Sequence, residues 1–226
     1  MPNAENKNVS AAKSQAWPTG APSLFSAALK LEGRRCLVVG AGLIAESKIE
    51  SLVICGARVR VVAPQATEKI QMSAQAKQIE WRKRRYQKSD MIGAFLVVAA
   101  TSSPKVHEAI FREARRRGVL CNVVDDPDRC DFYYPAVVRR GPLQIAISTS
   151  GRAPVLAQRL RRAMEKRFPI DYGDWVEQIG QTRRVMLDKG VSPEKRKELL
   201  RWLSSKAAFQ TFRQRSKKSP VRKEPA

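Results

Sequence analysis

One feature constrains this chain more than any other: a compact apolar run, Arg35–Val39, that passes directly into Gly40-Ala41-Gly42-Leu43-Ile44-Ala45. Beyond the glycines, Ala45, Ile49, Leu52 and Val53 fall on one helical face, and Gly56 ends the pattern. A strand, a G-x-G-x-x-A turn and a helix in that order predict the first unit of a dinucleotide-binding fold. The first glycine permits the tight turn, the second lets a pyrophosphate approach the backbone, and the small third residue lets helix and strand pack closely. The start of the helix then offers unpaired N–H groups to a phosphate.

The same alternation continues. Strands are predicted at residues 58–62, 79–82, 95–100 and 120–124, each suited to a parallel sheet covered on both faces. Pro104 opens a helix whose buried stripe is Val106, Ile110 and Ala114, and Gly118 closes it. One further strand is predicted at 143–148, reached through an irregular segment containing Phe132, Tyr133, Tyr134 and Pro135. From Pro154 the strand signals cease, and three helices are expected, at about 154–167, 174–187 and 193–212. The fold class is therefore α/β: a Rossmann-like, doubly wound parallel sheet followed by a helical region.

The second strand ends in Ala63-Pro64-Gln65, without the acidic residue that usually binds the adenosine ribose. Arg60 could meet a 2′-phosphate, so the choice between NAD and NADP stays open. The single histidine, His107, excludes a metal site built on histidine clusters and is expected at or near the surface. Cys36, Cys55, Cys121 and Cys130 lack C-x-x-C spacing and read as reduced packing residues.

The net charge of +22 includes +2 from residues 1–30 and +5 from residues 213–226, which leaves +15 on the body. A body so basic attracts polyanions, whether nucleic acid, an acidic membrane surface or a small polycarboxylate. The run Arg82-Lys83-Arg84-Arg85 reads as solvated surface, and Arg159, Arg162 and Lys166, on one helical face, either extend the positive field over a bound anion or form a solvated basic face. No run of eighteen apolar residues and no secretory signal pattern is seen, so a cytoplasmic protein with no membrane span is expected.

Five segments carry a more specific pattern: Leu37-Val-Val-Gly-Ala-Gly-Leu-Ile-Ala-Glu-Ser-Lys48, Val61-Val-Ala-Pro64, Val97-Val-Ala-Ala-Thr101, Cys121-Asn-Val-Val-Asp125 and Ser148-Thr-Ser-Gly-Arg-Ala-Pro154. In this order, across residues 23–205, they resemble the precorrin-2 dehydrogenase and sirohydrochlorin ferrochelatase family, also found as the N-terminal module of siroheme synthase. The resemblance implies NAD-dependent oxidation of precorrin-2, an anionic tetrapyrrole with eight carboxylates, to sirohydrochlorin in siroheme biosynthesis. Some members of that family also insert ferrous ion, with cobalt a further candidate, and the residues leave this open. By the resemblance, Gly40, Gly42, Leu43 and Ile44 line the NAD pyrophosphate, Pro64 and Gln65 border the adenosine end, and Thr101 lies beside the nicotinamide. Asp125 is the implied proton acceptor, although Asp125-Asp126-Pro127-Asp128 is also a turn-forming run. Ser148, Thr149, Ser150, Gly151 and Arg152, before a helix start, form a candidate carboxylate-binding nest; an ordinary helix cap is the alternative.

The resulting division is a flexible leader at 1–22, an NAD-binding domain at 23–128, a dimerisation region at 129–150, a helical domain at 151–212 and a basic disordered tail at 213–226. A homodimer is implied by the resemblance, and another protein is expected to supply precorrin-2. The sequence departs from the family pattern at Ala41 within the glycine turn, at Ser47, at Ser102-Ser103 and at His107. Two other readings compete. A nucleic-acid-binding protein is suggested by charge, tail and four tryptophans, but no nucleic-acid-binding motif accompanies them, so the tail would add only non-specific binding. A non-catalytic NAD-sensing module would tolerate loss of Asp125.

Overall fold

The computed structural model describes residues 24–218. Five short strands form a parallel sheet in the order β3-β2-β1-β4-β5, where β1 is Arg35–Val39, β2 Arg58–Val62, β3 Glu80–Arg82, β4 Leu96–Ala99 and β5 Leu120–Val123. Side chains alternate across the sheet, so each strand contributes to two cores. Cys36 and Val38 face one side with Ala45, Ile49 and Leu52 of α1 (Leu43–Ile54) and Ile70 of α2 (Glu68–Gln75). Leu37 and Val39 face the other, with Ile110 and Ala114 of α3 (Pro104–Arg117). Helices on both faces make the sheet doubly wound, as expected. Helix α2 was not anticipated: its eight residues carry one buried apolar side chain, too few to show a period.

The basic run 82–85 is only half solvated. Lys83 and Arg85 are exposed, whereas Arg82 and Arg84 turn inward to the fully buried Asp90. Arg84 donates from Nη2 to Asp90 Oδ1 at 2.6 Å and from Nη1 to Oδ2 at 2.8 Å; Arg82 Nη1 donates to Oδ1 at 3.1 Å, and the Gln87 amide to Oδ2 at 2.9 Å. Burial opposes the Asp90 charge, but these donors outweigh it and hold the carboxyl below its usual range. The period of two that a strand end imposes sorted the four cations, which composition alone could not do.

Beyond β5 the chain folds back on the sheet edge. The Asp131 carboxylate accepts the Cys121 amide at 2.9 Å, and the Asp131 amide donates to the Cys121 carbonyl at 2.7 Å. Phe132 and Tyr134 then pack onto the α1 side of the core. This irregular stretch leads not to one strand but to an antiparallel hairpin, β6 (Ala136–Arg140) with β7 (Leu143–Ile147). Strand β6 was missed because its apolar run is only Ala136 to Val138, bounded by Pro135 and two arginines.

The hairpin carries α4 (Pro154–Arg167), and α5 (Tyr172–Asp188) follows it. Arg140 fixes the junction by donating to the carbonyls of Phe168 at 2.7 Å and Glu165 at 3.2 Å. The single helix expected at 193–212 is two, α6 (Pro193–Leu203) and α7 (Lys206–Lys218). Ser205 Oγ accepts the Ala208 amide at 3.2 Å, so the Ser204-Ser205 pair ends one helix and caps the next. Helix α7 also corrects the expected tail: residues 213–218 are helical, and Arg213 pairs with Asp171 at 2.6 Å. The expected leader, and the tail from 219, lie outside the described residues. The free thiols of Cys36 and Cys121 are buried, which pushes them up to about 11 and about 12, consistent with packing rather than reactivity.

Glu113 on α3 accepts from Arg116 and Arg117, which bring its carboxyl down to about 2. A depressed carboxyl contributes stability that is complete above its unfolded value near 4.5 and is lost as pH falls through about 2. Equilibrium unfolding of the wild-type chain should therefore weaken more steeply between pH 4.5 and 2 than that of Glu113→Gln. Parallel pH profiles for the two proteins would contradict this.

Candidate functional site

The site is built around Gly40. Its backbone has φ +106°, and a Cβ added there would lie 2.1 Å from the Ala100 carbonyl oxygen. The turn after β1 thus presses against the end of β4, an approach that only glycine allows. Gly42 differs: it caps α1 in extended backbone, and a Cβ there would meet nothing within 4 Å. No side chain caps the α1 amides, so its first turn faces open space with its N–H groups available, with Glu46 the one acid in that turn. Leu43 is 78% and Ile44 54% exposed, an apolar pair flanking those amides. This donor set fits a dinucleotide: backbone amides for a pyrophosphate, room at Gly42 for its approach, and apolar surface beside them.

The other cofactor candidates lie along the same carboxyl edge of the sheet. Pro64 and Gln65 are exposed just past β2, and the Thr67 amide ties the following loop to the Ala41 carbonyl at 3.1 Å. Thr101 follows β4, half-buried. Its carbonyl meets the His107 ring nitrogen Nε2 at 2.6 Å, which explains the histidine: it anchors the loop at the end of β4. Arg60, considered for a 2′-phosphate, is committed elsewhere, donating from Nε to Glu80 at 2.8 Å with its side chain 15% exposed.

Asp125 stands at the end of β5, exposed and in left-handed backbone at φ +61°. That conformation costs a non-glycine residue roughly 1 kcal/mol, least for Asp and Asn, and such positions concentrate at functional sites. Asp126 Oδ2, not Asp125, accepts from Arg129 at 2.5 Å, so the turn is held by its neighbour.

The loop at 148–152 satisfies much of its own hydrogen bonding. Ser148 Oγ accepts the Ser150 amide at 3.1 Å, Thr149 Oγ1 accepts the Ala153 amide at 3.2 Å, and the Thr149 carbonyl accepts the Arg152 amide at 3.0 Å. These bonds close a turn within the loop; α4 itself, with Ala153 at its N-cap, has no side-chain cap hydrogen bond, and the exposed Arg152 guanidinium is the loop's free cationic donor. A side chain at Gly151 would touch the Tyr133 ring at 3.6 Å, so the loop sits against the segment that leads away from Asp125. Arg159, Arg162 and Lys166 are exposed along α4.

Sequence reasoning passed over Lys48 as a site residue. It lies beside the buried stripe of α1, half-buried, with Nζ 4.0 Å from the Tyr134 ring centroid. Its position between Ala45, Ile49 and Leu52 was the available signal, since a lysine there must be partly enclosed. A larger cavity, about 580 Å³, lies among α4, α5 and α7, lined by Phe168, Tyr172, Trp175, Phe209 and Arg213; it shares no residue with the glycine turn. Among the described residues, no three His, Cys, Asp or Glu side chains cluster as metal ligands, and no helix is long and apolar enough to cross a membrane.

Comparison with known proteins agrees with this architecture. Residues 27–136 match a family described as "Putative NAD(P)-binding", and residues 140–167 match "Sirohaem biosynthesis protein central". The solved structure of SirC, precorrin-2 dehydrogenase, is 26% identical and superposes with a TM-score of 0.68 over 87% of this chain and 100% of that one. The chain belongs to the siroheme synthase and precorrin-2 dehydrogenase family, as its NAD-binding module. Siroheme synthase of Photorhabdus laumondii is 36% identical over 169 residues, 75% of this chain and 36% of that protein. Siroheme synthase 1 of Pectobacterium atrosepticum is 41% identical over 153 residues, 68% of this chain and 32% of that protein. The chain thus spans about a third of the length of these curated relatives.

The two glycines of the turn make separable predictions. Gly42→Val should raise the Kd for NAD at least about ten-fold while costing stability no more than about 1 kcal/mol, because its side chain enters open space at a helix cap. Gly40→Ala should destabilise the fold by about 2–4 kcal/mol, through overpacking against a carbonyl and a disallowed φ. Cofactor titration and denaturant unfolding of both variants test the pair.

Proposed function

We propose that this chain oxidises precorrin-2 to sirohydrochlorin with NAD. The observation that carries the reading is a convergence at one edge of the sheet. The uncapped start of α1, the end of β4 at Thr101 and the exposed Asp125 after β5 all belong to the carboxyl edge of β1, β4 and β5, where the strand order reverses. Gly40, Gly42, Leu43 and Ile44 would hold the pyrophosphate, Pro64 and Gln65 the adenosine end, and Thr101 the nicotinamide end. When bound, NAD supplies the hydride acceptor. Asp125 takes the proton that leaves the macrocycle, and its exposed turn lets it reach a bulky ring. Arg152, beside the Ser148 to Gly151 loop, pairs with a substrate carboxylate at the far side of the Tyr133 segment.

The strongly basic body suits an octacarboxylate partner, and no nucleic-acid-binding motif accompanies it. Asp125→Asn should retain NAD affinity within about two-fold and lose 10²-fold or more in turnover. An anaerobic assay with enzymatically made precorrin-2, following the sirohydrochlorin spectrum, reads the oxidation. Ferrous or cobalt ions added afterwards read metal insertion by the same chain. Full turnover by Asp125→Asn would remove Asp125 as the proton acceptor, whereas NAD binding without oxidation by the wild-type chain would turn the reading toward a non-catalytic NAD-binding module.

We also propose a homodimer formed through residues 129–150. A two-stranded hairpin is marginal unless covered, and beside it on α4 lie Val155, 78% exposed, and the exposed Leu156 and Leu160. Sedimentation equilibrium should give twice the chain mass, and Val155→Asp should shift the protein toward monomer.

A further inference from the structure

Lys48 is not used by the reading above, yet its surroundings are specific. Three elements meet there: α1, the turn that holds Asp125, and the Phe132 to Tyr134 segment folded across the core. The Lys48 stem is enclosed between α1 and Tyr134, and its ammonium rests over the Tyr134 ring at 4.0 Å. Among the described residues no carboxylate lies within 4 Å of it, although most half-buried cations of this chain are paired: Arg60 with Glu80, Arg84 with Asp90, Arg161 with Glu165. Burial pulls Lys48 below the usual lysine range, and the nearby charge of Asp125 acts in the opposite direction. An ammonium that has lost part of its hydration and gained a ring face, with no carboxylate at ion-pair distance among the described residues, keeps donors to spare. Tyr134 itself is fixed: it packs into the core, with its hydroxyl buried, so the ring is a rigid support for the cation.

We propose that Lys48 binds a carboxylate of the anionic tetrapyrrole next to Asp125, and so sets which edge of the macrocycle faces the proton acceptor. The proposal rests on the substrate class given under the proposed function. It assigns the two sides of the cleft different tasks: amides at the start of α1 take the dinucleotide, and a cation one turn further along the same helix takes the substrate.

The test uses uroporphyrin, a stable octacarboxylate porphyrin, titrated by absorbance against the full chain and against Lys48→Met and Lys48→Arg. Lys48→Met keeps an aliphatic stem on the Tyr134 ring and removes only the ammonium, and unchanged NAD affinity reports an intact fold. The expected result is a Kd for uroporphyrin raised about ten-fold or more in Lys48→Met and within about three-fold of wild type in Lys48→Arg, with NAD binding the same in all three. Wild-type affinity in Lys48→Met overturns the proposal, as does a wild-type chain that binds no porphyrin, or a loss of NAD affinity equal to the loss of porphyrin affinity. Porphyrin binding through Lys48 without any oxidation of precorrin-2 would instead sink the dehydrogenase reading and leave the carboxylate site standing.

Discussion

The contact between Gly40 and the Ala100 carbonyl is the constraint on which the rest of the molecule depends. Because no side chain separates them, the β1 turn and the end of β4 occupy one small region, and whatever is bound over α1 lies beside Thr101. From there the sheet leads to β5 and Asp125, and the chain returns across the α1 side to bring Tyr134 under Lys48. A turn wider by one methyl group would separate these parts without altering any of the residues that do chemistry.

Charge in this chain is sorted by depth rather than spread evenly. Arg82 and Arg84 are drawn inward by the buried Asp90, Arg60 pairs with Glu80, and the exposed Arg116 and Arg117 clasp the buried Glu113. Such pairs fix local geometry, since breaking one leaves a buried charge unmatched. Lys48 and Arg152 carry no such partner among the described residues, and Lys48 rests instead over the Tyr134 ring.

The sequence revealed the sheet well and the rest unevenly, for physical reasons. Strand β1 is apolar from Cys36 to Val39, as a strand covered on both faces should be, and β2 keeps Val59, Val61 and Val62 beside Arg58 and Arg60, so both could be read to the residue. The glycine turn was legible too, as few other residues could occupy it. Strand β6 was hidden because pairing with β7 is a long-range property that three apolar residues beside a proline do not announce. The division of α6 from α7 was hidden because both helices keep one amphipathic period across Ser204-Ser205. Asp125 and the Ser148 to Arg152 loop were visible through a family pattern, whereas the enclosure of Lys48 depends on a contact between distant segments. His107 looked unremarkable until its ring was found on the Thr101 carbonyl.

The return of the chain at Asp131 has an effect on assembly. By occupying the amide and carbonyl of Cys121, Asp131 gives the outermost strand of the sheet a covering of its own and removes a ledge on which a foreign strand could settle. Growth of the sheet is blocked on that flank, so the strands with a side still open are β3, at the opposite edge, and those of the hairpin.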